Sequence, residues 1–416
     1  MHMKLAWRNI WRNPRRTTVI MLAIITGIWS MIFLGGLMRG MVVGMTNNGI
    51  STLTGDIQIH ARGYHDDPSI EYTMGDLKNI KKILKTNLPA TALYTYRIRV
   101  NAIACNARHS SGVTMVGITP DTEAKVSFMG PDAVVKGRYL DSGKNNGIMI
   151  GHAMAEKFGT KIGHKLILMS EATHHDIVSK AFRITGIFHA EMQSTEKRFV
   201  FVTISSARDM LKLKKRISEI SILFPDHGND KKIASHLKKV FSFLSHTSTP
   251  PEHYEIYTWQ ELLPILTAYL KMFDGFMYIW FLVVFIAMAF GIVNTTLMAV
   301  YERMREFGLL KALGMKPWWI IRSVLTESFI LLVMGMTIGN ILGLLCIWVL
   351  SGTGINLSAL AAGAEFAGIK RMIYPVVYYQ DIIMANIMVL VPGLLINIYP
   401  AVRAAKFTPV EALTHV

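Results

Sequence analysis

The residues GFMYIWFLVVFIAMAFGIVNTTLMAVY, numbers 275–301, contain no charged side chain and are followed directly by ERMREFGLLKALGMKPWW, numbers 302–319. A helix needs roughly 20 mainly apolar residues to cross a membrane, because the hydrocarbon core is about 30 Å thick. The first run is long enough, and the charges that follow it mark the point where the chain leaves the lipid. This junction predicts a membrane-spanning helix that leads into a short polar segment.

Three further stretches meet the same length criterion. Only 17% of the 416 residues are charged, against about 25% in soluble domains. This deficit agrees with segments buried in lipid. We therefore predict four transmembrane helices, at residues 17–45, 266–300, 320–350 and 381–403.

The distribution of Lys and Arg predicts the orientation of these helices, since short cytoplasmic segments carry an excess of positive charge. Residues 1–16 contain five Lys or Arg and no acid, and residues 302–322 contain five against two acids. Both termini and the loop 301–319 are therefore predicted to be cytoplasmic. The net charge of +16 reflects topology, and the spans exclude a soluble nucleic-acid-binding protein.

The N-terminal residues 1–16 show helical spacing of apolar side chains. Leu5, Trp7, Ile10 and Trp11 recur among arginines, and Pro14 follows them. This pattern predicts an amphipathic helix at the cytoplasmic face of the membrane, with tryptophans at headgroup depth. A plain basic flank that only sets topology is the alternative.

Residues 46–265 form the largest outward segment, which the orientation places in the periplasm. Alternating runs such as 56–60 (DIQIH) predict strands, and amphipathic runs such as 76–87 predict helices. The predicted fold class is thus an α-helical membrane protein with four transmembrane helices and a large mixed α/β extracytoplasmic domain. Residues 351–380 form a second outward loop, and residues 404–416 a cytoplasmic tail.

Motifs for catalysis or metal binding are not found in the sequence. No G-x-x-x-x-G-K-[ST] phosphate-binding loop occurs, so any ATP is hydrolysed by another polypeptide. His65, Asp66, Asp67 and Glu71 match no standard metal-ligand spacing, and we predict neither a catalytic nor a metal site. Four spans without an acidic residue at mid-membrane also argue against an ion-coupled secondary transporter.

Polar residues inside the predicted spans invite a functional interpretation. Asn294, Asn340, Asn386 and Asn397 can form hydrogen bonds between helices, and this structural role is favoured over contact with a substrate. Glu327, near the start of the third span, is expected to pair with Arg322 or with a neighbouring chain.

Small residues in the third span predict close helix packing. Gly335, Gly339 and Gly343 have the spacing that allows another helix to approach.

The loop 301–319 combines charges with an apolar face. Four apolar residues follow the charged ones, and a glycine and a proline end the pattern. The apolar residues are Phe307, Leu309, Leu310 and Leu313, and the glycine and proline are Gly314 and Pro317. A short cytoplasmic helix of this kind could dock in a groove of a soluble partner. A plain connector at the membrane interface is equally compatible with the composition.

This loop carries a resemblance to a known family. The segment 292–315, IVNTTLMAVYERMREFGLLKALGM, resembles the region after the second span in permeases of the MacB/FtsX/LolC–LolE type. The opening LAWRNIWRNPRRT (5–17), the pair GRYL (137–140) and GIMIGHAMAEKFGTKIGHKL (147–166), and the ending PAVRAAKFTPVEALTHV (400–416) are also similar to that family. Length and layout look most like the lipoprotein-releasing permeases.

The resemblance implies a mode of action called mechanotransmission. Such permeases dimerise with themselves or with a sister chain, and two copies of a cytosolic ATP-binding-cassette (ABC) ATPase bind below them. ATP and Mg²⁺ would be held by that ATPase, and this chain would bind no cofactor. The residues that the resemblance assigns to coupling with the ATPase are Glu302, Arg303, Arg305, Glu306, Phe307, Gly308, Leu310, Lys311, Ala312, Leu313 and Gly314.

The resemblance also implies a cargo. Lipoprotein-releasing permeases extract lipid-anchored proteins from the outer leaflet of the inner membrane, with acyl chains held between the first and second spans of opposing chains. By analogy, that cavity would be lined by Met31, Phe33, Leu34, Leu37, Met38, Phe273, Phe276, Met277 and Trp280. The loop 170–181 is short, however, and lacks a long proline-rich hook for handing cargo to a periplasmic carrier. Other family members export peptides or macrolides, or activate cell-wall hydrolases, and both activities stay open as alternatives.

Overall fold

The computed structural model describes residues 2–75, 77–143, 146–173, 175–225, 230–247, 253–356 and 372–407. The backbone divides into two compact units. A helical unit comprises Met1–Gly44, Tyr269–Ala359 and Arg371–Val416, and an α/β unit comprises Met45–Ala268 and Leu360–Lys370.

The helices and strands are numbered here in chain order. The helices are α1 (His2–Arg12), α2 (Pro14–Gly49), α3 (Leu77–Asn87), α4 (Pro120–Val126), α5 (His152–Phe158), α6 (Gln193–Arg198), α7 (Ile204–Leu211), α8 (Asp230–Thr247), α9 (Trp259–Leu262), α10 (Pro264–Glu302), α11 (Met304–Ala312), α12 (Pro317–Thr353) and α13 (Tyr379–Lys406). The strands are β1 (Ile57–Ala61), β2 (Leu93–Cys105), β3 (Ser110–Ile118), β4 (Val134–Gly137), β5 (Gly147–Gly151), β6 (Lys165–Glu171), β7 (Ile177–Phe188), β8 (Phe199–Thr203), β9 (Glu219–Leu223), β10 (Tyr254–Thr258), β11 (Ile355–Asn356) and β12 (Met372–Ile373).

Four helices are long and apolar enough to cross a membrane, namely α2 with the π-helical turn that follows it to Thr54, α10, α12 and α13. Each extends beyond the corresponding predicted span at both ends. Together with the mixed α/β unit, they confirm the predicted fold class. Three of these helices begin at a proline, because the missing N–H costs no hydrogen bond in the first turn. These prolines are Pro14, Pro264 and Pro317.

The glycine stripe of α12 lies against α2. Gly335, Gly339 and Gly343 each face an isoleucine side chain, and a Cβ added to Gly339 would lie 2.9 Å from the Cβ of Ile28. Because these three positions of α12 carry no side chain, the backbones of α12 and α2 approach closely, as the spacing predicts. The three isoleucines are Ile24, Ile28 and Ile32.

The polar residues of the spans differ in their roles. Asn340 and Asn386 exchange two side-chain hydrogen bonds, of 2.8 and 3.0 Å, between α12 and α13. Asn397 instead donates to the carbonyl of Gly393 in its own helix. Asn294 is exposed on α10 and bonds no other helix within the described ranges. The predicted interhelical hydrogen bonds are therefore found for one pair only.

The α/β unit is built on a mixed sheet with the strand order β10-β1-β9-β2-β3-β8-β5-β7-β4, and β6 pairs with both β2 and β7. The pairs β3–β8 and β5–β7 are parallel, and the other pairs are antiparallel. β6 and β7 pair antiparallel, from Lys165 opposite Arg183 to Glu171 opposite Ile177. The predicted loop 170–181 is thus mostly strand, because its outer residues continue the alternating pattern of these two strands.

A buried arginine lies on β2 at the centre of this unit. Both nitrogen branches of Arg97 are bonded to carboxylates, with Nη2 2.7 Å from Oε1 of Glu123 and Nη1 3.1 Å from Oε1 of Glu219. Nη1 also donates to the carbonyl of Leu53. Burial opposes the charge, but the two carboxylates raise the pKa of Arg97 above its ordinary value. The charge is therefore kept inside the fold by its partners.

Candidate functional site

The sequence-predicted coupling segment forms its own short helix. α10 ends at Glu302, α11 follows at Met304, and Gly314 adopts a φ of 90° just after the helix. The N–H groups of Gly314 and Met315 donate to the carbonyls of Lys311 and Leu310, each at 3.0 Å. Glycine at this position ends helices because it enters the left-handed region without a steric cost.

One face of α11 is packed against the ends of the long helices. Phe307 is buried, and Gly308 beside it is buried as well. Leu310 is partly buried against the same cluster. Phe307 lies in an apolar cluster with Val300, Ile320, Val324, Ala401 and Ala404. This face fixes α11 to α10, α12 and α13.

Ion pairs extend that attachment to the N-terminal helix. Oε1 of Glu306 lies 2.5 Å from Nη1 of Arg12 on α1. Oε2 of Glu306 accepts a hydrogen bond from Nε of Arg303 at 3.2 Å. Partial burial raises the pKa of Glu306, but the hydrogen bonds from Arg12 and Arg303 outweigh it and hold this pKa below its ordinary value. Glu306 therefore acts as an anionic link between α11 and α1.

A second carboxylate joins three of the membrane helices. Glu327 of α12 accepts hydrogen bonds from Nη1 of Arg303 at 2.9 Å and from Nη2 of Arg16 at 3.3 Å. Arg16 of α2 also donates to Glu302 at 3.2 Å, and Asn13 donates to the same Glu302 oxygen at 2.9 Å. The side chains of Arg16 and Glu327 are only about one-tenth exposed. These groups form one continuous ionic network around the N-terminal end of α11.

The predicted pairing of Glu327 with Arg322 was therefore wrong, and its pairing with a neighbouring chain stays a prediction. The guanidinium of Arg322 instead lies 5.7 Å from the ring centre of Trp319. Residues five apart on an α-helix lie roughly 140° apart around its axis, so the side chains of Arg322 and Glu327 leave α12 in different directions.

The last turn of α11 holds the end of α13. Nζ of Lys311 donates to the carbonyl oxygens of Ala405 and Phe407, at 2.9 and 2.8 Å. Carbonyl groups at the end of a helix lack intrahelical partners, and a lysine is a favourable donor to them. Lys311 thus caps α13 with a charge.

The opposite face of α11 is apolar and exposed. Leu309 is 56% exposed and Leu313 is 78% exposed, whereas their neighbours Phe307 and Gly308 are buried. Arg305 lies on the exposed side, as do Ala312 and Gly314. One face of α11 therefore exposes Leu309 and Leu313 to solvent or to a partner. The opposite face packs against other helices of the same chain.

The residues predicted to line a cargo cavity are distributed over both faces of their helices. Met31 and Met277 are buried in the core shared by the membrane helices, whereas Phe276 and Trp280 are exposed on α10. Their grouping into one cavity stays a prediction. The partly buried members of the set are Phe33, Leu34, Leu37, Met38 and Phe273.

A second ion-pair cluster was missed at the sequence level. Nε and Nη2 of Arg39 on α2 donate to the two carboxylate oxygens of Asp381 on α13, at 2.8 and 3.0 Å. Nη1 of Arg39 donates to Asp274 on α10 at 2.6 Å. No role was predicted for these three charges from the sequence. Their opposite signs near the outward ends of three predicted spans were the available signal.

Comparison with known proteins identifies the family. Residues 17–240 match the model of the MacB-like periplasmic core domain, which is more than half of the chain. Residues 278–409 match the model of the FtsX-like permease C-terminal region. The chain belongs to the MacB/LolC/FtsX family of ABC transporter permeases. It is a membrane protein whose α/β unit is a periplasmic domain of the MacB type.

Individual relatives of this ABC permease are distant. The lipoprotein-releasing system transmembrane protein LolC of Xylella fastidiosa is 24% identical over 76% of this chain and 76% of its own length. The macrolide export ATP-binding/permease protein MacB of Chlorobium luteolum is 25% identical over 99% of this chain and 59% of its own length. Among solved structures, the periplasmic region of MacB from Actinobacillus actinomycetemcomitans is 13% identical, with a TM-score of 0.37, over 54% of this chain and 97% of that one.

Proposed function

We propose that this permease couples ATP hydrolysis by a separate cytosolic ABC ATPase to movement of a cargo at the periplasmic side of the membrane. The observation that carries the proposal is the two-sided character of α11. Its inner face is held by Phe307 and Glu306, while Leu309 and Leu313 on its outer face are exposed. An amphipathic helix with free apolar side chains suits docking in a groove of a soluble partner.

The ionic network supplies the rigid connection that coupling requires. A displacement of α11 acts on α1 through Glu306, on α12 through Arg303, and on α13 through Lys311. The Arg303–Glu327 pair is only 17% and 11% exposed, so its separation is costly. The Arg12–Glu306 pair is 64% and 37% exposed and contributes less. We infer that α11 and the cytoplasmic ends of the long helices move together, as a conformational switch between two packed states requires.

The proposed orientation puts both termini and α11 in the cytoplasm. The positive charges of residues 1–16 and 302–322 support it. The ATPase, in two copies, would bind ATP and Mg²⁺ there, and this chain would contribute no nucleotide site.

A second permease chain is part of the proposal. Asn294 is exposed on α10 and has no hydrogen-bond partner within the described ranges. Polar side chains within membrane spans normally face other protein groups, because lipid offers them no partner. An identical or sister permease packed on this face of α10 would supply one.

We propose lipoprotein extraction from the inner membrane as the cargo reaction. Similarity to LolC over three-quarters of the chain supports it, as does the apolar set on α2 and α10 that includes Phe276 and Trp280. A periplasmic carrier would then receive the lipoprotein. The alternatives are export of peptides or amphiphilic small molecules in the manner of MacB, and transmembrane regulation of periplasmic cell-wall hydrolases in the manner of FtsX.

The coupling role is tested by co-purification. The double variant Leu309→Asp/Leu313→Asp should lose the ATPase, because two charges would enter an apolar groove. The control is Ile177→Asp, since Ile177 is 79% exposed in the α/β unit and lies outside the proposed interface. Retention of the ATPase by the double variant would contradict the proposed docking face.

The cargo is tested with the permease and its ATPase in lipid nanodiscs. ATP hydrolysis is measured with and without a lipid-anchored protein, and the supernatant is assayed for released protein. Stimulated hydrolysis with release supports lipoprotein extraction. If lipoprotein does not change the rate of ATP hydrolysis, the proposed coupling role is not contradicted. The cargo is then better sought among peptides and amphiphilic small molecules, or the partner among cell-wall hydrolases.

A further inference from the structure

The α/β unit contains a cavity of about 550 Å³ that the coupling mechanism does not use. Its volume lies within the range of small-molecule sites, roughly 300–1,000 Å³. Strands β1, β2, β3 and β9 supply polar side chains to its wall, and β8 supplies Phe199. The residues that carry the inference are His60, Arg99, Arg198 and Glu219, with Leu262 and Leu263 as apolar lining.

His60 offers a hydrogen-bond acceptor in this wall. The amide nitrogen of Gln58 donates to the carbonyls of Leu53 and Thr54, at 3.1 and 2.8 Å, so its Oε1 can only accept. Nε2 of His60 lies 2.9 Å from that oxygen and must therefore carry the proton. Burial lowers the pKa of His60 to about 4, so the ring is neutral at pH 7. Its Nδ1 is then a buried acceptor without a partner.

Glu219 provides a second unfilled acceptor. Its Oε1 is bonded to Arg97, but its Oε2 is buried and has no hydrogen-bond partner. Nη1 of Arg99 lies 3.9 Å from this oxygen, beyond hydrogen-bond distance. Buried acceptors without donors are rare in native proteins and require an explanation.

Positive charge lies on the more exposed part of the same cavity. The guanidinium of Arg99 stacks 5.4 Å from the ring centre of Phe199 and is about one-third exposed. Arg198 is exposed and forms no ion pair within the described part of the chain. The cavity thus combines buried acceptors with exposed cations.

We propose that this cavity binds a small zwitterion, with its primary ammonium group toward Glu219 and His60 and its anionic group toward Arg99 and Arg198. An ammonium group supplies several N–H donors to the two unfilled acceptors, and a phosphate or carboxylate matches the arginines. A metal ion does not fit, since no group of three or more His, Cys, Asp or Glu in the described residues could hold one. A phospholipid headgroup and a short peptide share the required chemistry.

The proposal is tested by calorimetric titration of the full-length protein in nanodiscs of phosphatidylcholine. Phosphoethanolamine represents the headgroup source, with phosphocholine as its control because it has no N–H donor. Dialanine represents the peptide source, with N-acetyl-dialanine as its control. We expect one of the two amines to bind, and its blocked analogue to bind at least about tenfold more weakly. Which amine binds identifies the source.

Variants distinguish binding by specific residues of the cavity from general attraction of an anion to positive charge. Arg198→Ala should weaken binding severalfold, whereas Lys197→Ala, an exposed neighbour outside the cavity lining, should not. Glu219→Gln should weaken it about tenfold, and Arg97 keeps Glu123 as a partner in that variant. No binding of either amine at millimolar concentration, equal binding of the blocked analogues, or equal effects of the Arg198 and Lys197 variants would overturn the proposal.

Discussion

Nη1 of Arg303 lies 2.9 Å from Oε2 of Glu327 and joins the start of α11 to α12. Glu327 is shielded, with a side chain 11% exposed, and it also neutralises Arg16. The carboxylate therefore lies between Arg16 of α2 and Arg303, which precedes the first residue of α11. Much of the rigidity proposed for this end of the permease depends on it.

Replacement of Glu327 by Gln should destabilise the permease by about 3 kcal/mol, because two partly buried guanidinium groups lose their counter-charge. The thermal unfolding midpoint in nanodiscs measures the effect. Asp176→Asn is the control, since the pair formed by Asp176 and Lys212 is exposed and contributes at most about 1 kcal/mol. Equal shifts for both variants would show that the Glu327 network is not stabilising.

Replacement of glycine by alanine should change the stability differently at two positions in the membrane helices. Gly339→Ala should destabilise the helix packing, because the new Cβ would lie within 3.0 Å of α2. Gly275→Ala meets nothing within 4 Å and should be neutral or stabilising by up to about 1 kcal/mol, since Ala is the better helix former. Thermal unfolding of the two variants side by side tests this. A stable Gly339→Ala variant would contradict the close contact with α2.

Removal of the Lys311 cap should destabilise only the C-terminal end of α13. Lys311→Met removes the charged donor to Ala405 and Phe407, which costs roughly 1.5–3 kcal/mol for hydrogen bonds to a charged group. Amide hydrogen exchange at the end of α13 should therefore accelerate, whereas exchange in β1 should not change. Lys311→Arg keeps a charged donor and is the matched control. Unchanged exchange in Lys311→Met would contradict the cap.

Arg39 should not be replaceable by lysine. Its Nε and Nη2 contact both oxygens of Asp381, and its third nitrogen contacts Asp274. A lysine ammonium cannot reproduce this forked geometry. We expect Arg39→Lys to lower the unfolding midpoint nearly as much as Arg39→Met. A lysine variant as stable as the wild type would show that the cluster depends on charge attraction alone and not on the forked geometry of Arg39.

Stability of the α/β unit should depend on pH through His60. Its folded pKa of about 4 lies below the ordinary value of 6.5, mainly because burial disfavours the charged ring, with Glu219 opposing the shift and Arg99 and His65 adding to it. Between these values the unfolded chain binds the proton and the folded chain does not, so stability is complete above pH 6.5 and falls as the pH decreases toward 4. The slope should approach about 1.4 kcal/mol per pH unit.

The measurement for His60 is urea unfolding of the full chain followed at several pH values. His60→Gln should remove the slope in the interval from pH 6.5 to 4, because it has no titratable ring. His65→Gln, at an exposed position, should keep it. A wild-type protein without this slope would contradict the buried neutral ring.

The positions of the four spans could be predicted from the sequence because they depend on a short-range quantity. Span length is set by the thickness of the hydrocarbon core, whereas the orientation inferred from nearby Lys and Arg stays a prediction. The helix at 304–312 could likewise be anticipated from Phe307 and Gly314, since a glycine stop acts within one turn. These signals need no knowledge of which helices are neighbours.

The pairing of charges and polar groups could not be predicted. Arg322 is near Glu327 in sequence, but helix geometry directs it elsewhere, and the true partners Arg16 and Arg303 lie 311 and 24 residues away along the chain. The same applies to Asn397, which bonds within its own helix, and to Arg39, whose partners belong to two other helices.

The sequence alone determined that this protein has four membrane-spanning helices, a mixed α/β domain and a short amphipathic helix at α11, because apolar length, periodicity and turn residues are local properties. Only the tertiary structure decided that α11 is attached to α1, α12 and α13 by Glu306, Arg303 and Lys311, and that His60 and Glu219 share one cavity. Ion pairs and cavities are formed by groups that are distant in the chain, and their geometry exists only once the helices and strands have packed.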